Sequence, residues 1–330
     1  MGIFGKNILV VLISALALYV AIGAGARALR IAPEFTPNFA LDERLQYLKT
    51  HRPAGQAVGI ALGASLSSND ISTTLLQSEM SKPYVNLGAY GLNIEGAKAF
   101  YTESKNEFAI RDVIFPMQFF ELRPGTSTFE ISPDLFHRYI SGKMTFLEEA
   151  SYRDVGGLFY YLSNWNDLRT PEGYSSVVFT PTGDVPLDIG PRTADWARWS
   201  VPAASGFSAS PCGACMKPLV DLCNAVTSDH RRFLLVLTPY RRTVVNASKD
   251  LLDMYNDRQR RIPAAMQSCG GRFVDFNASA DFDDSCFADF AHLNRQGARF
   301  LTEMLIGYLR TGTMGPRKTI VCPQYAVGHT

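Results

Sequence analysis

Residues 57–65 read Ala57-Val-Gly-Ile-Ala-Leu62-Gly63-Ala64-Ser65, and this stretch sets the fold. An unbroken apolar run of six, closed by a glycine and small residues, is the form of a strand buried on both faces of a parallel sheet. Ser67, Ser68, Asn69 and Asp70 then supply N-cap candidates for a helix over about 71–80. The same punctuation returns along the chain. Tyr84 to Leu87 reads as a second strand ending at Gly88, and a helix is expected over 95–105. Asp112 to Phe120, Phe233 to Leu237 and Arg272 to Phe276 are the third, fourth and fifth strand candidates. From Asn294 to Arg310, Phe300, Met304, Leu305 and Tyr308 fall at helical spacing, and Gly312 follows as a stop.

Strands alternating with helices predict one α/β domain with a mostly parallel sheet over residues 53–312. The stretch between the third and fourth strands is too long for a simple crossover. Residues 145–210 carry Gly156-Gly157, several aromatics and the passage TPTGDVPLDIGPRT (180–193), and are read as an insertion that covers or shapes the mouth of a site. Residues 31–52 read as a linker with a short helix in ALDERLQYL, and 313–330 as a tail without periodicity, held at Cys322.

Residues 1–30 differ from the rest. Asn7 to Ala26 contains no charge, and twenty residues at about 1.5 Å each match the hydrocarbon thickness of a bilayer. The run is longer than a signal-peptide core, which favours an anchor, while Gly23-Ala-Gly-Ala26 leaves a cleavage site open. The flanking charges do not decide orientation, so export of the main domain is inferred from the remainder of the chain. Six cysteines, all after residue 211, suit an exported protein with disulfides, and 15 pairings are open. Cys212 and Cys215 form a CxxC that also fits a redox pair or half a zinc site. The chain has no second CxxC, and its histidines lack ligand spacing with one another, so no metal is expected. With a net charge of +1 there is no basic stripe for a phosphate backbone, so nucleic acid is not expected as a partner.

Ligands of open α/β sheets collect outside the carboxyl ends of the strands. Ser65 follows the first strand, Gly88 and Gly91 the second, and Asp289 and His292 come after the fifth, directly before the last helix. A serine hydroxyl needs a base to take its proton, and histidine titrates in the right range. That base needs an acceptor on its other ring nitrogen, and Asp289 stands three residues away. A glycine N–H after the second strand can meet a developing oxyanion, aided by the Ser65 N–H. Each residue has a plainer reading: Ser65 as a helix cap, Gly91 as a turn glycine, His292 as a cap of the last helix.

The order Gly63-Ala64-Ser65, Asn86…Gly91, Asp289-x-x-His292 resembles the SGNH (GDSL-like) hydrolase superfamily over about residues 57–310. The block Asp289-Phe-Ala-His292-Leu-Asn294-Arg-Gln-Gly297-Ala298 is similar to the DxxHLNxxGA block of its membrane-associated envelope branch, which includes proteins of alginate O-acetylation and D-alanyl lipoteichoic acid synthesis. The resemblance implies a flavodoxin-like three-layer α/β/α domain, preceded here by a transmembrane helix. It also implies Ser65 as nucleophile, His292 as base, Asp289 as its partner, Gly91 in the oxyanion hole, and no cofactor. Two departures stand out. Gly-Asp-Ser is Gly63-Ala64-Ser65 here, and the Gly-x-Asn-Asp block after the third strand is missing, with Gln118 as the substitute amide donor. Asn164 and Asp167, in the insertion, read as a surface turn. The expected function is an esterase or O-acyltransferase on cell-envelope polysaccharide, partnered by a membrane acyltransferase. The competing readings are a non-catalytic scaffold of the same fold and a thiol oxidoreductase using Cys212 and Cys215.

Overall fold

The computed structural model describes residues 3–51, 58–122, 127–153, 155–173, 175–189 and 214–322. Among these, five strands form one parallel sheet: β1 (Val58–Ala61), β2 (Tyr84–Asn86), β3 (Ile110–Met117), β4 (Arg232–Leu237) and β5 (Arg272–Asp275). Their spatial order is β2-β1-β3-β4-β5, and all four pairings are parallel. This is the flavodoxin-like order, whose switch point lies between β1 and β3. The strands sit where the apolar runs predict them. Ala57, the predicted start of the first strand, lies outside the described residues.

The short apolar runs are buried on both faces because each strand feeds two cores. On β4, Phe233, Leu235 and Leu237 join a cluster with Phe100, Leu219, Leu222 and Ile262 on one face. Leu234 and Val236 alternate to the other, with Leu76, Leu301 and Leu305. The first layer is built from α5 (Ile94–Glu107), α10 (Lys217–Ser228) and α12 (Lys249–Ser268); the second from α3 (Ser65–Asp70), α4 (Thr73–Met80) and α14 (Arg295–Thr311). Helix α2 (Phe39–Thr50), inside the predicted linker, buries Leu41, Leu45 and Leu48 in the first core.

Preceding these is α1 (Ile3–Ala28), of which Asn7–Ala28 is long and apolar enough to cross a membrane. Its residues Val10, Val11, Leu12 and Leu16 are 60–66% exposed, the reverse of a core helix. Between β3 and β4 lie α6 (Pro133–Ile140), α7 (Phe146–Ser151), α8 (Val155–Ser163) and α9 (Trp165–Arg169). Asn164 is the N-cap residue of α9 and Asp167 is exposed on it.

Two disulfides have both partners described. Cys223–Cys269 joins α10 to the end of α12, and Cys286–Cys322 ties the loop before α14 to the chain after it. Cys215 is also disulfide-bonded, and Cys212 lies outside the described residues. The segment read as a tail contributes β7 (Lys318–Ile320), paired in parallel with β6 (Ala280–Phe282). Cys223–Cys269 spans 46 residues of sequence. Removing it by Cys223→Ser with Cys269→Ser is expected to cost about 4 kcal/mol on the chain-entropy relation. Denaturant unfolding checks this, and an unchanged midpoint would refute it.

Candidate active site

The sequence folds locally so that Ser65 opens α3, immediately beyond β1. The N-cap position is Ala64, with no side-chain cap bond, so Ser65 does not serve as the helix cap. Its hydroxyl lies 2.7 Å from His292 Nε2, and His292 Nδ1 lies 2.7 Å from Asp289 Oδ2. The serine hydroxyl, the imidazole and the carboxylate are therefore in one line of hydrogen bonds, with 227 residues of sequence between Ser65 and His292. Ser65 itself is partly exposed.

The Asp289–Ala298 block owes its pattern to a tight hairpin. Phe287 and Leu293 pair as an antiparallel bridge, with Ala288 N–H donating to His292 O and Asn294 N–H to Cys286 O. Asp289 Oδ1 accepts from the Ala291 and His292 N–H groups, both at 2.7 Å, which leaves Oδ2 aimed at the imidazole. Asn294 caps α14 by accepting from Gly297 N–H and donates to Ser285 O. A β-carbon at Gly297 would stand 2.3 Å from Cys286 O, so only glycine fits there.

Three further contacts hold the hairpin and α14 against the rest of the domain. Asp70, at the far end of α3, accepts from Leu293 N–H at 3.0 Å. Ser72 N–H donates to Thr302 Oγ1 on α14. Gln118, just past β3, donates from Nε2 to Ala291 O at 2.7 Å and to Pro239 O at 3.0 Å. Both protons of that amide are thus engaged with backbone carbonyls. The amide expected as an oxyanion donor instead holds the hairpin that carries Asp289 and His292.

The turn after β2 supplies candidates. Gly91 has φ +75°, in the region that favours glycine, and Asn38 Nδ2 fixes the turn by donating to Tyr90 O at 2.6 Å. Gly88 lies so close to α3 that a β-carbon would be 2.7 Å from Ser68 N, but its N–H already donates to Asn86 Oδ1. Asn86 in turn donates to Ser67 O at 2.6 Å and to Asp184 Oδ1 at 3.1 Å, pinning α3 at the turn after Ser65. Tyr90 donates from its hydroxyl to Asn69 Oδ1 on α3.

Sequence reasoning missed the buried charges around this frame. Asp184, in the TPTGDVP passage, accepts from Thr73 and Thr74 as well as Asn86. Fully buried Arg44 donates to Asn86 O, Gly183 O and Ser68 Oγ, with its guanidinium 4.2 Å from the Phe179 ring centroid. Isolated charged residues in helical or loop sequence carry no mark of such burial; only the partners, 24 to 139 residues away, reveal it.

Electrostatics favour a charged imidazole. Burial by itself pulls the His292 pKa down, but the Asp289 carboxylate, by charge and hydrogen bond, outweighs it, with Asp70 and Glu121 adding to the pull upward, to about 9. Asp70 is itself pushed well above the usual carboxylate range by burial. The imidazole therefore holds its proton more tightly than a free histidine does.

Comparison of the chain with family models gives no match, and comparison with curated proteins gives none either. Among solved structures, the inhibitor-bound form of an M. smegmatis aryl esterase is similar over 78% of this chain and 99% of that one, at 10% identity and a TM-score of 0.35.

Proposed function

We propose that the chain is a membrane-tethered, exported serine esterase or O-acyltransferase of the SGNH type, acting on acyl groups of a cell-envelope polysaccharide. The observation that carries this reading is the hydrogen-bonded line Ser65–His292–Asp289, with both contacts at 2.7 Å. Ser65 Oγ attacks the acyl carbonyl carbon while its proton passes to His292 Nε2, and Asp289 stabilises the imidazolium. The carbonyl oxygen takes the negative charge and is met by the N–H groups of Gly91 and of the first turn of α3. Collapse expels the alcohol, which leaves with the proton from His292, and the acyl group stays on Ser65. Water or a sugar hydroxyl then attacks, with His292 again as base, to give hydrolysis or transfer. The missing Gly-x-Asn-Asp block leaves the oxyanion one side-chain donor short, which suits a substrate presented by a membrane partner such as an acyltransferase.

Tethering and export rest on different features. The apolar helix α1 supports an anchor, and the disulfides suit an oxidising compartment. The test is covalent: a fluorophosphonate is expected to modify the full chain once, on the peptide containing Ser65, as read by mass spectrometry. A folded protein that resists modification would instead support a non-catalytic scaffold of this fold.

A further inference from the structure

Helix α8 reads Val-Gly-Gly-Leu-Phe-Tyr-Tyr-Leu-Ser, with no charged residue in nine positions. Its inner face is explained by packing: Tyr161 is buried with Leu168 and Val177, and Leu158 and Trp165 pack against them. Its outer face is apolar too. Val155, Phe159 and Leu162, at spacings of four and three, are 65%, 73% and 49% exposed. Tyr160 beside them is 48% exposed, and Leu147 on α7 57%. A helix that is apolar all round belongs inside a protein or in lipid.

The position of this face decides between those environments. The buried cluster under α8 includes Ala26, in the last turn of α1, and Ile31, three residues beyond the end of that helix. A β-carbon at Gly23 of α1 would lie 3.0 Å from Ala150 Cβ and 3.3 Å from the Phe146 ring, so α1 touches α7 directly. Arg153 and Arg169 donate to the Ile31 and Arg30 carbonyls, fixing the exit of α1 against the same helices. Residues 23–31 are the point where a span over Asn7–Ala28 leaves the hydrocarbon. Whatever packs there sits at the level of the lipid headgroups. At nine residues, about 14 Å, α8 is far too short to cross. Its aromatic pair is of the kind enriched at the membrane–water boundary.

Resting on the anchor reading above, we propose that α8, with Leu147, inserts its outer face into the headgroup boundary beside α1, as a second membrane contact. Two contacts fix the orientation of the domain where one helix would leave it free to swivel. The chain carries that orientation onward to the site. Beyond α9, Glu172 pairs with Arg295, three residues after His292, and Arg295 N–H donates to Leu187 O.

The test places a benzophenone amino acid at position 159, 16 or 267 of the full chain, irradiates each variant in its membrane, and reads the adduct mass. Leu16 lies on the exposed surface of α1 and Gln267 is an exposed residue of α12. The expected result is a mass increase of one phospholipid at positions 16 and 159 and none at 267. Lipid at 16 with no lipid at 159, or with a protein adduct at 159, overturns the second contact and leaves the anchor standing. No lipid at either position overturns both.

Discussion

Ser65→Ala is expected to lower turnover of an activated ester such as p-nitrophenyl acetate by on the order of 10⁴–10⁶-fold, the scale seen when a serine nucleophile is removed from such a triad. The fold should survive the change. Ser65 is not the cap of α3, its side chain is partly exposed, and its hydroxyl bonds to His292 Nε2. Ser67 and Ser68, which do hold the frame through Asn86 and Arg44, stay in place. The variant should also lose fluorophosphonate labelling while its circular dichroism and unfolding midpoint stay within error. Retained labelling would assign the reactive hydroxyl to another residue.

Asp289→Asn should be nearly as damaging for a different reason. The asparagine oxygen still accepts from the Ala291 and His292 N–H groups, so the hairpin keeps its shape. What changes is the group facing His292 Nδ1: a negative acceptor becomes an amide donor, favouring the wrong tautomer. The comparable substitution in a serine protease triad costs about 10⁴ in kcat. The pH profile gives a second reading. A general base works only when neutral, so activity in the native chain should rise with pH through the His292 pKa of about 9. With the Asp289 charge gone, burial, which lowers that pKa, has less to oppose it, and the midpoint should move toward neutrality. A profile with the same midpoint in both proteins would remove Asp289 from its role.

The sheet was legible because each strand is a short apolar run closed by glycine, proline or a small polar residue. That signal is local. The same holds for the hairpin, where Asp289, His292, Asn294 and Gly297 fall within nine residues and explain one another. The pairing of six cysteines was not legible, since Cys223–Cys269 and Cys286–Cys322 depend on how α10, α12 and α14 are laid down. Nor was Gln118, where the residue type suggests an amide donor and only the tertiary structure reveals that Pro239 and Ala291 take both protons. Arg44 and Asp184, to which the sequence assigned no role, are buried supports of α3. Local chemistry could be read from the chain; the long-range partners that silence or redirect it could not.

The bonds that bring the hairpin and α14 to the rest of the site join distant parts of the chain. Ser65–His292 spans 227 residues, Asp70–Leu293 spans 223, Ser72–Thr302 spans 230 and Gln118–Ala291 spans 173. The strand that leads into Ser65, β1, by contrast has its neighbours β2 and β3 within about sixty residues. Loop-closure entropy therefore orders the events of folding: the half that carries Ser65 can assemble early, and the half that carries His292 docks only after the last third of the chain has been made. In a nascent or truncated chain Ser65 has no His292 to bond to. On the proposed function, recovery of activity during refolding is expected to lag behind recovery of helical signal, which would make the site a clock for the final docking step.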